Sequence, residues 1–162
     1  MREWRRHRGG RRVVAVGANR DPRAVLERLH RAMNEHDAEQ FVAGFHDDYR
    51  SEQPAHPDRA FGGREQVREN WTMLFAEIPD FTAELIRSAA DGDTVWAEWS
   101  WRGQRRDGAL FALCGVTLFG TRDGRISWGR LYMEAVTGGE GDIRAAMRRM
   151  TGAGADHGPV RP

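Results

Sequence analysis

The chain has 162 residues, 40% hydrophobic and 30% charged, with a formal net charge of +1. That length suits one domain with a true core, and the near-neutral balance supplies no whole-molecule pull toward nucleic acid or anionic membrane, so neither is expected as a partner. No apolar run approaches the roughly 20 residues of a membrane helix, and the single Cys114 forbids an internal disulfide and fits a reducing cytoplasm.

Residues 1–20 carry Arg2, Arg5, Arg6, Arg8, Arg11, Arg12 and Arg20 against Glu3 alone. The apolar stretch Val13 to Val16 after Arg11-Arg12 is shorter than the ~7–15 residues of an export signal, so this segment reads as a disordered basic leader. Asp21-Pro22 is an N-cap followed by proline at the first helical position, and Val25, Leu29, Ala32 and Met33 then recur at helical spacing. Asp37 caps a second short helix, Ala38 to Phe45. Tyr49 to Gln53 reads as a short strand ended by Pro54, and a third helix runs from Glu65 to Ala76 with Val67, Trp71, Leu74 and Phe75 on one side.

After Pro79-Asp80 the period changes from helical to alternating. Four long strands are expected: Phe81 to Ala89, Thr94 to Gly103, Leu110 to Thr121 and Ile126 to Glu134, joined by turns at Asp91-Gly92-Asp93, Arg106-Asp107-Gly108 and Asp123-Gly124. Helices first and a meander afterwards predict an α+β fold, a cone-shaped roll in which a curved antiparallel sheet of four to six strands wraps three N-terminal helices. The cone domain spans 21–136. Residues 137–162 form a glycine-rich tail around one short helix, Ile143 to Met150.

Side chains alternate across a sheet. The apolar set Val95, Ala97, Trp99 and Trp101 is expected to face the helices, with Ala112, Cys114, Val116 and Leu118 from the next strand and Gly129, Leu131 and Met133 from the last. The mixed set, including Glu98, Thr117, Phe119, Trp128, Arg130, Tyr132 and Glu134, then falls on the outer face, where Glu98 and Arg130 are expected to pair. A bulge would swap the two sets locally.

The order α-α-β-α followed by long strands, with Phe45-His46-Asp47-Asp48-Tyr49, Gly63-Arg64-Glu65-Gln66-Val67, Ile78-Pro79-Asp80-Phe81 and Asp123-Gly124-Arg125-Ile126 through Arg130-Leu131-Tyr132-Met133-Glu134, resembles the SnoaL-like, nuclear-transport-factor-two-like superfamily over Pro22 to Val136. That resemblance implies kinship with ketosteroid isomerases, limonene epoxide hydrolase and polyketide cyclases, and a homodimer formed through the outer sheet face. Their chemistry does not carry over residue by residue. Gln53 stands where the isomerases place a basic aspartate, and Leu29 and Val116 stand where they place oxyanion donors. Trp99, Trp101 and Leu131 occupy the hydrolase's arginine and aspartate positions, and no apolar group deprotonates water.

The candidate catalytic groups are therefore His56, held in a loop between two prolines, with Tyr49 and Glu52 beside it. Gln53, Trp71, Trp99, Trp101, Cys114, Val116, Leu131 and Met133 are the candidate substrate-binding residues, the tryptophans as flat walls for a ring, and Cys114 as a buried packing thiol. His46-Asp47-Asp48 with His56 has a spacing too common to mark a metal site, and no glycine loop cradles phosphate, so no metal and no cofactor is expected. The pocket should take a small hydrophobic molecule of polyketide, terpenoid or steroid type. The protein is then either an isomerase, cyclase or hydrolase of that molecule, or a non-catalytic carrier or sensor.

Overall fold

The computed structural model describes residues 21–138 and 142–152; the arginine-rich leader lies outside them. Asp21 caps helix α1 (Pro22–Asn34), its carboxylate accepting from Arg23 N–H, and Val25, Leu26, Leu29, Ala32 and Met33 are buried along one stripe. Helix α2 (Ala38–Ala43), capped by Asp37, buries Phe41 and Val42. It ends sooner than its apolar spacing suggests because Gly44 turns the chain and Phe45 enters a strand.

Strand β1 (Phe45–Glu52) pairs with a two-residue strand, β2 (Phe61–Gly62), which the sequence pattern is too short to reveal. Helix α3 (Arg64–Glu77) follows, then β3 (Thr82–Asp91), β4 (Thr94–Gln104), β5 (Leu110–Arg122) and β6 (Arg125–Ala135), and finally α4 (Ile143–Thr151). The six strands form one sheet in the order β2-β1-β6-β5-β4-β3. All pairs are antiparallel except β1 with β6, which run parallel because the whole helix–meander excursion separates them. The sheet curls around α1, α2 and α3, giving the α+β cone.

Strands β4 and β6 face as their alternation indicates: Val95, Ala97, Trp99 and Trp101 are buried, and Leu131 and Met133 turn to the same side. Strand β5 does not. Gln104 pairs with Leu110, so the five intervening residues keep odd positions opposite odd: Ala97 meets Thr117, Trp99 meets Gly115 and Trp101 meets Leu113. Phe111, Leu113, Thr117 and Phe119 thus face the core, and Cys114 is exposed rather than a buried packing thiol. Val116 also lies outside, beside Trp96, Glu98 and Arg87. Because β5 is apolar on both faces, hydropathy could not choose between them, and the odd-length connection did.

A second irregularity lies between Gly120 and Thr121, where one extra residue on β6 lets both Ile126 and Gly129 reach the interior. The expected Glu98–Arg130 pair is absent because β5 lies between their strands. Glu98 instead pairs with Arg87 on β3, and Arg130 with Glu52 on β1 at 2.7 Å.

Candidate functional site

Between the concave sheet face and the three helices lies a cavity of about 160 Å³. Its floor is Trp99 and Trp101 of β4, Thr117 and Phe119 of β5 and Leu131 of β6. Leu29 and Met33 of α1 and Phe41 of α2 close one side, and Val67, Asn70, Trp71 and Leu74 of α3 the other. Phe45, Tyr49, Ser51 and Gln53 descend from β1, with Phe61 of β2 beside them. Exposed Asn70 and half-buried Gln53 and Phe61 mark the mouth. Two of the tryptophan pairs pack edge to face, Trp71 against Trp101 at 5.5 Å and Trp99 against Trp101 at 6.4 Å between centroids.

No carboxylate, imidazole, ammonium or guanidinium is part of this lining. Its one titratable group is Tyr49, whose hydroxyl is pushed up to about 12 by burial, the neighbouring Ser51 hydroxyl opposing the shift in part. Tyr49 sits where it does because β6 offers Gly129 below it: a Cβ there would stand 2.5 Å from the Tyr49 hydroxyl and 3.0 Å from the Phe119 ring. Trp99 Nε1 donates to Thr117 Oγ1 at 2.9 Å, fully inside the core. Trp101 Nε1, a buried atom of a lining residue, has no hydrogen-bond partner.

The sequence-predicted residues therefore divide. Tyr49, Gln53, Trp71, Trp99, Trp101 and Leu131 line the cavity, and Met133 packs against the core beside it. Glu52 alternates with Ser51 and points outward into its ion pair with Arg130. His56 is also outside, its Nε2 donating to Glu134 Oε1 at 3.0 Å. Neither reaches the cavity lining, and Cys114 and Val116 belong to the outer face. His46 turns away from His56 and donates to the Arg122 carbonyl at 2.6 Å; among the described residues no three His, Cys, Asp or Glu side chains gather as metal ligands. Ser51, Thr117 and Phe119 were missed. Ser51 was legible in the alternation Tyr49-Ser51-Gln53, whereas Thr117 and Phe119 were hidden by the face of β5.

A helix-lined cone with one apolar hollow is the architecture of the SnoaL-like proteins. The chain belongs to that family: the model of the SnoaL-like domain matches residues 26–128. No curated protein matches the sequence at a significant level. Among solved structures, the epoxide hydrolase/cyclase-like enzyme SalBIII of salinomycin pyran-ring formation is 21% identical with a TM-score of 0.61, covering 70% of this chain and 90% of its own. A protein of ketosteroid isomerase-like fold from Catenulispora acidiphila, solved with trimethylamine, is 20% identical with a TM-score of 0.58, covering 65% of this chain and 82% of its own. A loop-truncation variant of IdmH is 24% identical with a TM-score of 0.57, covering 70% and 91% respectively. These likenesses show the fold. No helix among the described residues is long and apolar enough to cross a membrane.

Proposed function

We propose that the protein binds a small hydrophobic molecule in the cone and holds it without acid–base chemistry, as a carrier or sensor. The observation that carries this reading is the lining itself: an aromatic cavity whose only polar groups are hydroxyls, carboxamides and indole N–H groups. General acid–base catalysis requires a group that exchanges protons near the working pH. Tyr49, raised to about 12, keeps its proton there. Mass spectrometry of the compound extracted from purified protein tests the reading. A neutral apolar molecule recovered unchanged after prolonged incubation supports it; its steady conversion to a second compound contradicts it.

One observation favours a second reading, an isomerase, cyclase or hydrolase of such a molecule. A buried, permanently protonated Tyr49 is a fixed donor for a developing oxyanion. In that case Tyr49→Phe would abolish turnover while the ligand stayed bound.

The outer sheet face supports a homodimer. Trp96, Trp128 and Tyr132 are exposed there beside Val116, with Arg87–Glu98 and Arg130–Glu52 as ion pairs among them and Arg50 opposite Trp128. An aromatic patch flanked by internal ion pairs suits an identical copy, since isologous docking buries the patch of each copy against the other. A lone thiol and no membrane-crossing helix among the described residues fit a cytoplasmic setting.

A further inference from the structure

Resting on the reading that the cone holds a ligand, we infer its class: a compact, uncharged, single-ring molecule carrying hydrogen-bond-accepting oxygens, such as a small ketone, lactone or aryl ether. Three observations converge on it. The first is size. A cavity of about 160 Å³ is close to the roughly 150 Å³ apolar hole that accepts one benzene ring, and below the ~300 Å³ at which pockets for drug-sized ligands begin. A fused polycycle of steroid type does not fit; one substituted ring does.

The second observation is an orphaned polar atom. Trp101 is 8% exposed, and its Nε1 is buried without a hydrogen-bond partner. Burying a polar group unpaired is costly, so such atoms point to what completes them. An indole N–H only donates; its missing partner must be an acceptor. The protonated Tyr49, with the Ser51 hydroxyl beside it, adds a hydroxyl donor from β1, on the other side of β5 and β6. Donors on both sides suit a ring with oxygens at separated positions.

The third is charge. A carboxylate ligand would find no cation in the lining, and a cationic one no carboxylate. The aromatic walls would attract a quaternary ammonium through their ring faces, but the indole N–H is the positive edge of Trp101 and opposes a cation beside it.

The test is a binding series with the full-length protein and four probes of similar size: 4-methoxyacetophenone, p-cymene, 4-methoxybenzoate and benzyltrimethylammonium. Affinities come from calorimetry, and ¹H–¹⁵N spectra follow the indole N–H signals, Trp101→Phe assigning the one that matters. The expected result is that 4-methoxyacetophenone binds tightest and moves the Trp101 signal. Trp101→Phe should weaken its binding roughly fivefold to tenfold more than that of p-cymene, the excess being the effect of one neutral hydrogen bond. Equal affinity for p-cymene, an unmoved Trp101 signal, or preference for either charged probe overturns the inference but leaves the cone a binding site. If no probe binds and no tryptophan signal moves, both the inference and the reading beneath it fail.

Discussion

At the scale of single residues the cavity is defined by neutral groups held in low-dielectric surroundings, and two of them have measurable consequences. Tyr49 carries an ordinary value of 10.0 raised to about 12. As pH climbs from 10 toward about 12 the unfolded chain gives up that proton while the folded chain retains it. Stability from this group is thus complete below pH 10 and declines through the window above it. Denaturant titrations at rising pH should show that decline in the native chain and a shallower one in Tyr49→Phe. The Trp99–Thr117 bond makes a second prediction. Thr117→Val orphans a buried indole N–H and should cost about 1–3 kcal/mol, whereas Trp99→Phe combined with Thr117→Val should cost less than the two single changes summed. Equilibrium unfolding of the three variants measures the coupling. Legibility at this scale was uneven. Tyr49, Trp71, Trp99 and Trp101 stood out because large aromatics at fixed spacing have few places to go. Thr117 gave no such signal, since a small hydroxyl acquires meaning only from the atoms around it, and Ser51 showed only through its alternation with Tyr49 and Gln53.

At the scale of elements, the connection between α1 and the sheet is polar and specific. Asn34 Nδ2 donates to the Ala83 carbonyl and its Oδ1 accepts from Ala83 N–H, both at 2.9 Å. His30 Nε2 donates to the same carbonyl at 2.8 Å and His36 Nε2 to the Phe81 carbonyl at 2.8 Å. Asn34→Ala removes a reciprocal pair and should destabilise the fold by roughly 1–3 kcal/mol, with no change in the cavity wall; thermal unfolding reads it directly. Helix α3 is held otherwise. Only Val67 of it is fully buried, and Trp71, Leu74 and Phe75 are half-buried. Its amides should therefore exchange with solvent faster than those of α1, and slow when a ligand fills the cone. Equal protection in both helices would contradict this. Element order and type were readable because helical period, caps and glycine turns all agree in this chain. The faces of β4 and β6 were readable from clean alternation. Strand β5, apolar on both sides, was not, and neither was the bulge at Gly120 and Thr121, which depends on the path of the neighbouring strand.

At the scale of the whole molecule two surfaces divide the work, a concave face enclosing the cavity and a convex face with exposed aromatics set between ion pairs. The convex face predicts self-association. Sedimentation should show a dimer, and Trp96→Glu or Tyr132→Arg should shift it to monomer, placing charge in a desolvated patch without disturbing the cone. A wild-type monomer at high concentration would remove that proposal. The titratable residues the sequence brought forward as catalytic candidates, His56 and Glu52, lie on this outer side, where they pair with Glu134 and Arg130. The cavity is left without charge, and its contents should feel no change of pH until the tyrosine range. Affinity for 4-methoxyacetophenone measured from about pH 5 to about pH 9 tests this most directly, because every carboxylate or imidazole that touched the ligand would titrate near or within that interval. A flat profile is the predicted result; a break at the pH where a carboxylate or imidazole ionises would contradict it.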